Sequence, residues 1–222
     1  MDEKKTKPYE FPSTEPSIAK EPLFMWVTLD IDETKRYTYA NYLTWLDGRR
    51  RELYNGFIHS MLVPVNMYAR ISIELNTLIR TYIKKKSKGE CQLLHASFDV
   101  RLPKNNETAD DQIYDVVHPD ICVICDLSKL DDKGCIGAPD LMVEVLSPSS
   151  IKHDYKTKFD LYEKFGVREY WIVDPQGKTV HTFLLQANGK YNKGTIYNCA
   201  QKAPVQIFEG LVIDLKKLFE EM

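Results

Sequence analysis

A carboxylate stands inside an apolar run at Leu141-Met142-Val143-Glu144-Val145-Leu146, and no other feature constrains the chain so tightly. Period-2 alternation places Asp140, Met142, Glu144 and Leu146 on one face of a strand and Leu141, Val143 and Val145 on the other. Burying an unpaired carboxylate costs several kcal/mol, roughly, so Glu144 needs a cation, a metal ion or hydrogen bonds beside it. The alternatives are a structural ion pair or an edge strand with one wet face.

A second acid strengthens the case. His118-Pro119-Asp120 opens the preceding strand and Ala138-Pro139-Asp140 opens this one. If the two strands run antiparallel or cross, Asp120 and Glu144 converge on one divalent ion. Mg²⁺ takes one or two carboxylates and keeps waters for a substrate, and the backbone carbonyl of Val145 is a further candidate ligand. On its own Asp120 also reads as a turn residue after proline. A cation follows: Ser147-Pro148-Ser149-Ser150 suits a helix start, and Asp154 and Lys158 lie one turn apart beyond it. Lys158 either points back to the Glu144 strand or forms an exposed pair with Asp154. At about 100° per residue, Lys156 and Lys158 point about 160° apart, so only one can serve a site there. Tyr155, Phe159 and Tyr162 form a neighbouring stripe that is expected to pack on the sheet.

The rest of the chain supplies the frame. Asn55-Gly56 predicts a tight hairpin within 52–61. A short helix is expected over 38–46 and a long one from Tyr68 to Lys86, with Ile71, Leu75, Leu78, Ile79 and Tyr82 as its apolar stripe. The long helix ends in Lys84-Lys85-Lys86-Ser87-Lys88-Gly89, read as a solvated, Gly-capped end or as a phosphate contact. Strands are expected over 93–102, 118–125, 140–146 and 169–174, a helix over 151–165, and a hairpin around Asn188-Gly189. Strands outnumber helices, so the fold class is α/β bordering on α+β, a mixed sheet flanked by helices with additional β-hairpins. Residues 1–22, with four prolines and no periodicity, are expected to form a tail, and 23–222 a single domain.

Charge and cysteines narrow the class further. With 30 basic and 32 acidic residues, the net charge of −2 argues against a uniformly basic nucleic-acid binder and leaves room for a local basic patch. No run is long and apolar enough to span a bilayer and the N-terminal residues lack an apolar signal core, so a cytoplasmic protein with no membrane partner is expected. Five cysteines, an odd number, then predict free thiols. Cys122-x-x-Cys125 has half a zinc-knuckle spacing, but strand alternation sends the two side chains to opposite faces.

Taken in order, ELYNGFIHSM, HPDICVI, PDLMVEVLSPSS, the Asp154–Lys158–Tyr162 spacing, GVREYWIVDP and GLVIDLKKLF resemble the Uma-type putative restriction endonuclease family of the PD-(D/E)XK nuclease superfamily, from about Tyr37 to the C-terminus. The resemblance implies a restriction-endonuclease-like mixed sheet. It implies a Mg²⁺- or Mn²⁺-dependent endonuclease hydrolysing DNA phosphodiesters, with no small-molecule cofactor. Asp120 and Glu144 carry over as the acids, Lys158 as the lysine supplied from the following helix, and Glu52 as a further site acid. In the usual superfamily pattern the lysine sits two residues after the acid, where this chain has Leu146. The histidine that relatives often carry at the start of the long helix is missing from Asn66-Met67-Tyr68-Ala69-Arg70. Cleavage of both strands would favour a homodimer. The competing readings are a catalytically weak or inactive nucleic-acid-binding module on the same fold, and a hydrolase of another phosphate ester.

Overall fold

Period-2 apolar runs and one long amphipathic helix dictate the architecture. The computed structural model describes residues 29–61, 66–86, 90–105 and 107–220. The expected N-terminal tail and the Gly89 cap lie outside them. In chain order the elements are α1 (Tyr39–Tyr42), β1 (Arg51–Tyr54), β2 (Phe57–Ser60), α2 (Asn66–Lys86), β3 (Gln92–His95), β4 (Asp99–Arg101), β5 (Val116–Val117), β6 (Ile121–Ile124), β7 (Leu130–Asp131), β8 (Gly134–Ile136) and β9 (Leu141–Val145). A π-helical turn (His153–Lys158) then runs into α3 (Phe159–Phe165). It is followed by β10 (Glu169–Asp174), β11 (Thr179–Leu184), β12 (Thr195–Asn198), β13 (Lys202–Pro204), β14 (Val212–Asp214) and α4 (Leu215–Glu220).

The central sheet is mixed and six-stranded, in the order β12-β11-β10-β9-β6-β3. Only β9 and β10 pair in parallel, and the helical segment between them makes the crossover that a parallel pair requires. Helices cover both faces. Ile71, Leu75, Ile79 and Ile83 of α2, with Leu215, Leu218 and Phe219 of α4, pack on Leu141, Val143, Val145 and Trp171. On the other face Leu161 and Tyr162 of α3 pack on Met142, Leu146, Tyr170 and Ile172. The alternation expected along 140–146 is therefore realised. The face that carries Glu144 is additionally covered by Val100, Leu102 and Val117, which belong to a second layer.

That layer is a six-stranded sheet, β2-β1-β5-β4-β8-β7, built from the additional hairpins. One segment expected as a single strand is divided between the sheets, and the expected strand 118–125 is shortened at its start. Residues 93–102 break at Ser97, which adopts φ 76° and sends β3 to one sheet and β4 to the other. Val116–Val117 lies in the second sheet and Ile121–Ile124 in the central one, so His118-Pro119-Asp120 is the seam between them. The Asn55-Gly56 turn has positive φ at both residues (51° and 85°) and sets Glu52 opposite His59.

The expectation of free thiols fails at two positions. Cys91 and Cys125 form a disulfide, because the register that pairs Gln92 with Ile124 brings these flanking residues face to face. Such a pairing across 34 positions cannot be read from a cysteine count. A loop of this length is worth about 4 kcal/mol in the chain-entropy account. Cys122 and Cys135 are free and buried, and Cys199 is free and half-buried. Cys122 and Cys125 face opposite sides of the sheet, as alternation requires. Lys84, Lys85 and Lys86 are exposed. Among the described residues, no helix is long and apolar enough to cross a membrane.

The entry into β1 is fastened by a buried ion pair. Arg51 Nη1 and Nη2 donate to Asp47 at 2.8 and 2.5 Å, and the guanidinium lies 5.5 Å from the Trp45 ring centroid. The Arg51 hydrogen bonds hold the Asp47 carboxyl down at about 2. A depressed folded-state pKa adds stability above the unfolded value near 3.8, and that stability is lost as pH falls toward 2. Asp47→Asn is therefore expected to lower stability by about 1 kcal/mol at neutral pH. Denaturant melts should show the gap to wild type closing between about pH 4 and pH 2.

Candidate active site

Four acids and one lysine meet where the seam, β1, β9 and the π-turn come together. Ile121 pairs with Val143 in antiparallel register, so Asp120 stands across from Glu144 one position further along. The Asp120 Oδ2 atom accepts the Val145 backbone N–H at 2.8 Å. Glu144 points from the covered face of β9 and is 3% exposed, with the Tyr162 hydroxyl donating to its Oε1 at 2.6 Å. Glu52 arrives from β1, 1% exposed; its Oε1 accepts the His118 backbone N–H at 2.8 Å and its Oε2 the Tyr54 hydroxyl at 2.6 Å.

Lys158 ties these groups together. Its Nζ lies 2.9 Å from Glu144 Oε1, 3.3 Å from Glu52 Oε1 and 3.8 Å from Asp154 Oδ1. Of the two placements open to Lys158, the structure has the one directed at the Glu144 strand, a buried lysine facing three carboxylates, while Lys156 is exposed. The local cause is the π-turn, in which Asp154 and Lys158 are the two buried residues. Such turns recur at functional sites because the wider spiral re-aims side chains. It also corrects the expected aromatic stripe. The phase shifts between 155 and 159, leaving Tyr155 40% exposed, while Phe159 packs on Phe183 and Tyr191 and Tyr162 is fully buried.

The electrostatics follow from burial and one cation. Burial would depress Lys158, but Glu144, Glu52 and Asp154 outweigh it and raise its pKa, so the ammonium stays charged. Burial pushes Glu144 well above the usual carboxylate range despite Lys158, lifts Asp120, and raises Asp154 to about 6. Glu52, although buried, is held low by Lys158 and its two hydrogen bonds.

These groups line a cavity of about 640 Å³. Several of its residues escaped the sequence reading. Arg50 lines it with a buried Nη2 that has no hydrogen-bond partner among the described residues. The rings of His59 and His153 stack at 3.9 Å and 4° on its wall, and His153 Nε2 stands 4.0 Å from Glu52 Oε2. Burial, with His59 and Lys158 nearby, lowers the His153 pKa to about 4. The two-residue Asn55-Gly56 turn was the available signal for His59, since it dictates the register that sets His59 across from Glu52. Behind the seam, His118 Nε2 lies 2.8 Å from Asp99 Oδ1, and the Tyr39 hydroxyl donates to Asp99 Oδ2 at 2.6 Å.

Among the described residues, no three His, Cys, Asp or Glu side chains form a ready-made metal cluster. The donor chemistry nevertheless suits a hard divalent cation. Among the described residues, four carboxyl groups, Glu52, Asp120, Glu144 and Asp154, line the cavity beside two cations, Arg50 and Lys158, and burial without enough positive charge is what raises three of the four. Asp120 Oδ1 and Glu144 Oε2 accept no hydrogen bond among the described residues. Oxygen ligands of this kind fit Mg²⁺ or Mn²⁺.

A family model described as Uma2, putative restriction endonuclease, matches residues 39–216. The chain is 30% identical over 123 residues to the uncharacterized protein slr1290 of Synechocystis, a match covering 54% of this chain and 59% of that protein. The chain thus spans less than two thirds of the length of this curated relative. A crystal structure described as a putative nuclease belonging to DUF820, from Anabaena variabilis, has a TM-score of 0.65 at 19% identity, covering 82% of this chain and 97% of that one. At that identity the likeness is one of fold. Motif order, architecture and the match over most of its length place the chain in the Uma2 family of putative restriction endonucleases.

Proposed function

We propose that this protein is a metal-dependent endonuclease that hydrolyses DNA phosphodiester bonds at the cavity between its two sheets. The observation that carries the reading is the buried Lys158 amid Glu144, Glu52 and Asp154, with Asp120 across from Glu144. Asp120, Glu144 and the backbone carbonyl of Val145 would hold Mg²⁺ or Mn²⁺. In a strand the C=O of a residue faces the same neighbour as its N–H, and the Val145 N–H faces Asp120. The ion would polarise the scissile phosphate and lower the pKa of a bound water.

The residues of the chain supply the rest. Tyr162 and Lys158 hold Glu144 in one orientation. Two of the three Lys158 donors are within hydrogen-bonding distance of carboxylates, leaving one for the attacking water or the phosphate. Its fixed, buried charge would stabilise the anionic transition state. Glu52 keeps the lysine charged and aimed, and the unpaired Arg50 Nη2 is placed to meet a phosphate oxygen. One such site cuts one strand; a homodimer would set two on antiparallel strands.

A plasmid-nicking assay across a Mg²⁺ and Mn²⁺ titration tests this. Asp120→Asn should reduce nicking by about a hundredfold or more, whereas the exposed Lys156→Ala should leave it unchanged. A protein that binds DNA yet nicks at no metal concentration would instead support the binding-module alternative.

Lys158→Ala is expected to do more than remove activity. It strands buried carboxylates without their cation, so denaturant melts should show a loss of about 3–5 kcal/mol. A melt identical to wild type would mean that the lysine is dispensable to the fold and that the acids are compensated elsewhere.

A further inference from the structure

We infer that His59 is a stacking platform for an unpaired nucleobase, and that the substrate is therefore single-stranded or locally unpaired DNA. The inference rests on the nuclease reading above and specifies its substrate class.

The geometry is that of a prepared ring surface. His153 lies parallel beneath His59, and Tyr54 stands perpendicular to both, with ring planes at 85° and 88° and centroids 5.9 and 4.7 Å away. Tyr54 is nearer to His153 than to His59, and the two histidine rings are only 3.9 Å apart, so it stands beside the stack and does not cap His59. His59 is exposed, and no other aromatic ring meets it among the described residues, so the stack can be continued by one more flat ring. It shares the cavity with Asp120, Glu144 and Lys158, and its register partner is Glu52. A base resting there belongs to a nucleotide whose phosphate is within reach of the acids.

The other walls agree. The α2 wall presents Ser72 and Asn76, one helical turn apart, and no hydrogen bond engages either among the described residues. Neutral donors and acceptors of this kind read base edges, which are accessible when bases are splayed from a stack. Among the described residues Arg50 and Lys158 are the two Lys or Arg side chains of the lining, too few to track the backbones of a duplex. A cavity of about 640 Å³ is of the size that encloses a ligand of nucleotide dimensions. Inside a duplex both faces of each base are covered by its neighbours, so stacking on His59 requires an unstacked base.

The test is binding of the full chain, without metal, to a short fluorescent DNA strand and to the same strand annealed to its complement. The single strand should bind about tenfold more tightly or better. His59→Ala should cost about tenfold on the single strand and leave duplex binding unchanged, and His59→Phe should restore the affinity to within about twofold. A 2-aminopurine base in the strand should lose fluorescence on binding wild type and keep it with His59→Ala. Equal affinity for strand and duplex, or unchanged single-strand affinity in a folded His59→Ala protein, overturns the inference while leaving plasmid nicking to stand on its own. Failure to bind either DNA overturns this inference and leaves the metal-dependent nuclease reading to the plasmid-nicking assay.

Discussion

The site depends on one ammonium group. Lys158 is, among the described residues, the single cation facing Glu144, Glu52 and Asp154 at distances of 2.9 to 3.8 Å, and these acids come from three different parts of the chain. Glu144 sits on a strand of the central sheet, Glu52 on a strand of the second sheet, and Asp154 on the same π-turn as the lysine. Each carboxylate would be costly to bury alone. Gathered around one charge, they become a joint between layers that otherwise meet through apolar side chains such as Val100, Val117 and Met142. Carboxyl groups outnumber cations at this joint among the described residues, and a divalent ion would favour their ionised forms.

How far the amino-acid order reveals this depends on the range of the interactions. Glu144 is legible because strand alternation is local and an acid in an apolar run breaks it. The Asp154–Lys158 spacing is legible for the same reason, but the burial of Lys158 is not, since it requires a second sheet laid over β9. Ser97 shows a different limit: unlike Asn55 before Gly56, a serine with positive φ has no sequence signature, so the division of 93–102 between two sheets stays hidden. The π-turn is equally silent, and it displaces Tyr155 from the stripe that α-helical spacing assigns to it. Cys91 and Cys125 pair through register across non-adjacent segments, which composition cannot anticipate. Glu52 entered through family resemblance, although its hairpin already carried the register that sets His59 across from it.

The polar network behind the cavity has a supporting role that follows from its position. Tyr39 bonds Asp99, Asp99 bonds His118, and the His118 backbone N–H bonds Glu52. This chain of contacts runs from α1 through β4 to the acid that aims the lysine. It fixes His118, just before Pro119, from behind the cavity, which it reaches at Glu52.

His118-Pro119-Asp120 leaves one sheet and enters the other within three residues, and proline locks one of its few backbone torsions. A strand segment that short has almost no slack. Any sliding of one layer over the other is therefore transmitted to Asp120, whose partner Glu144 is anchored in the central layer by Tyr162. The spacing of the two acids becomes a gauge of how the layers sit. Packing changes far from the cavity, at Val100 or Val117 for instance, reach the acid pair as a shift in the gap between two oxygens.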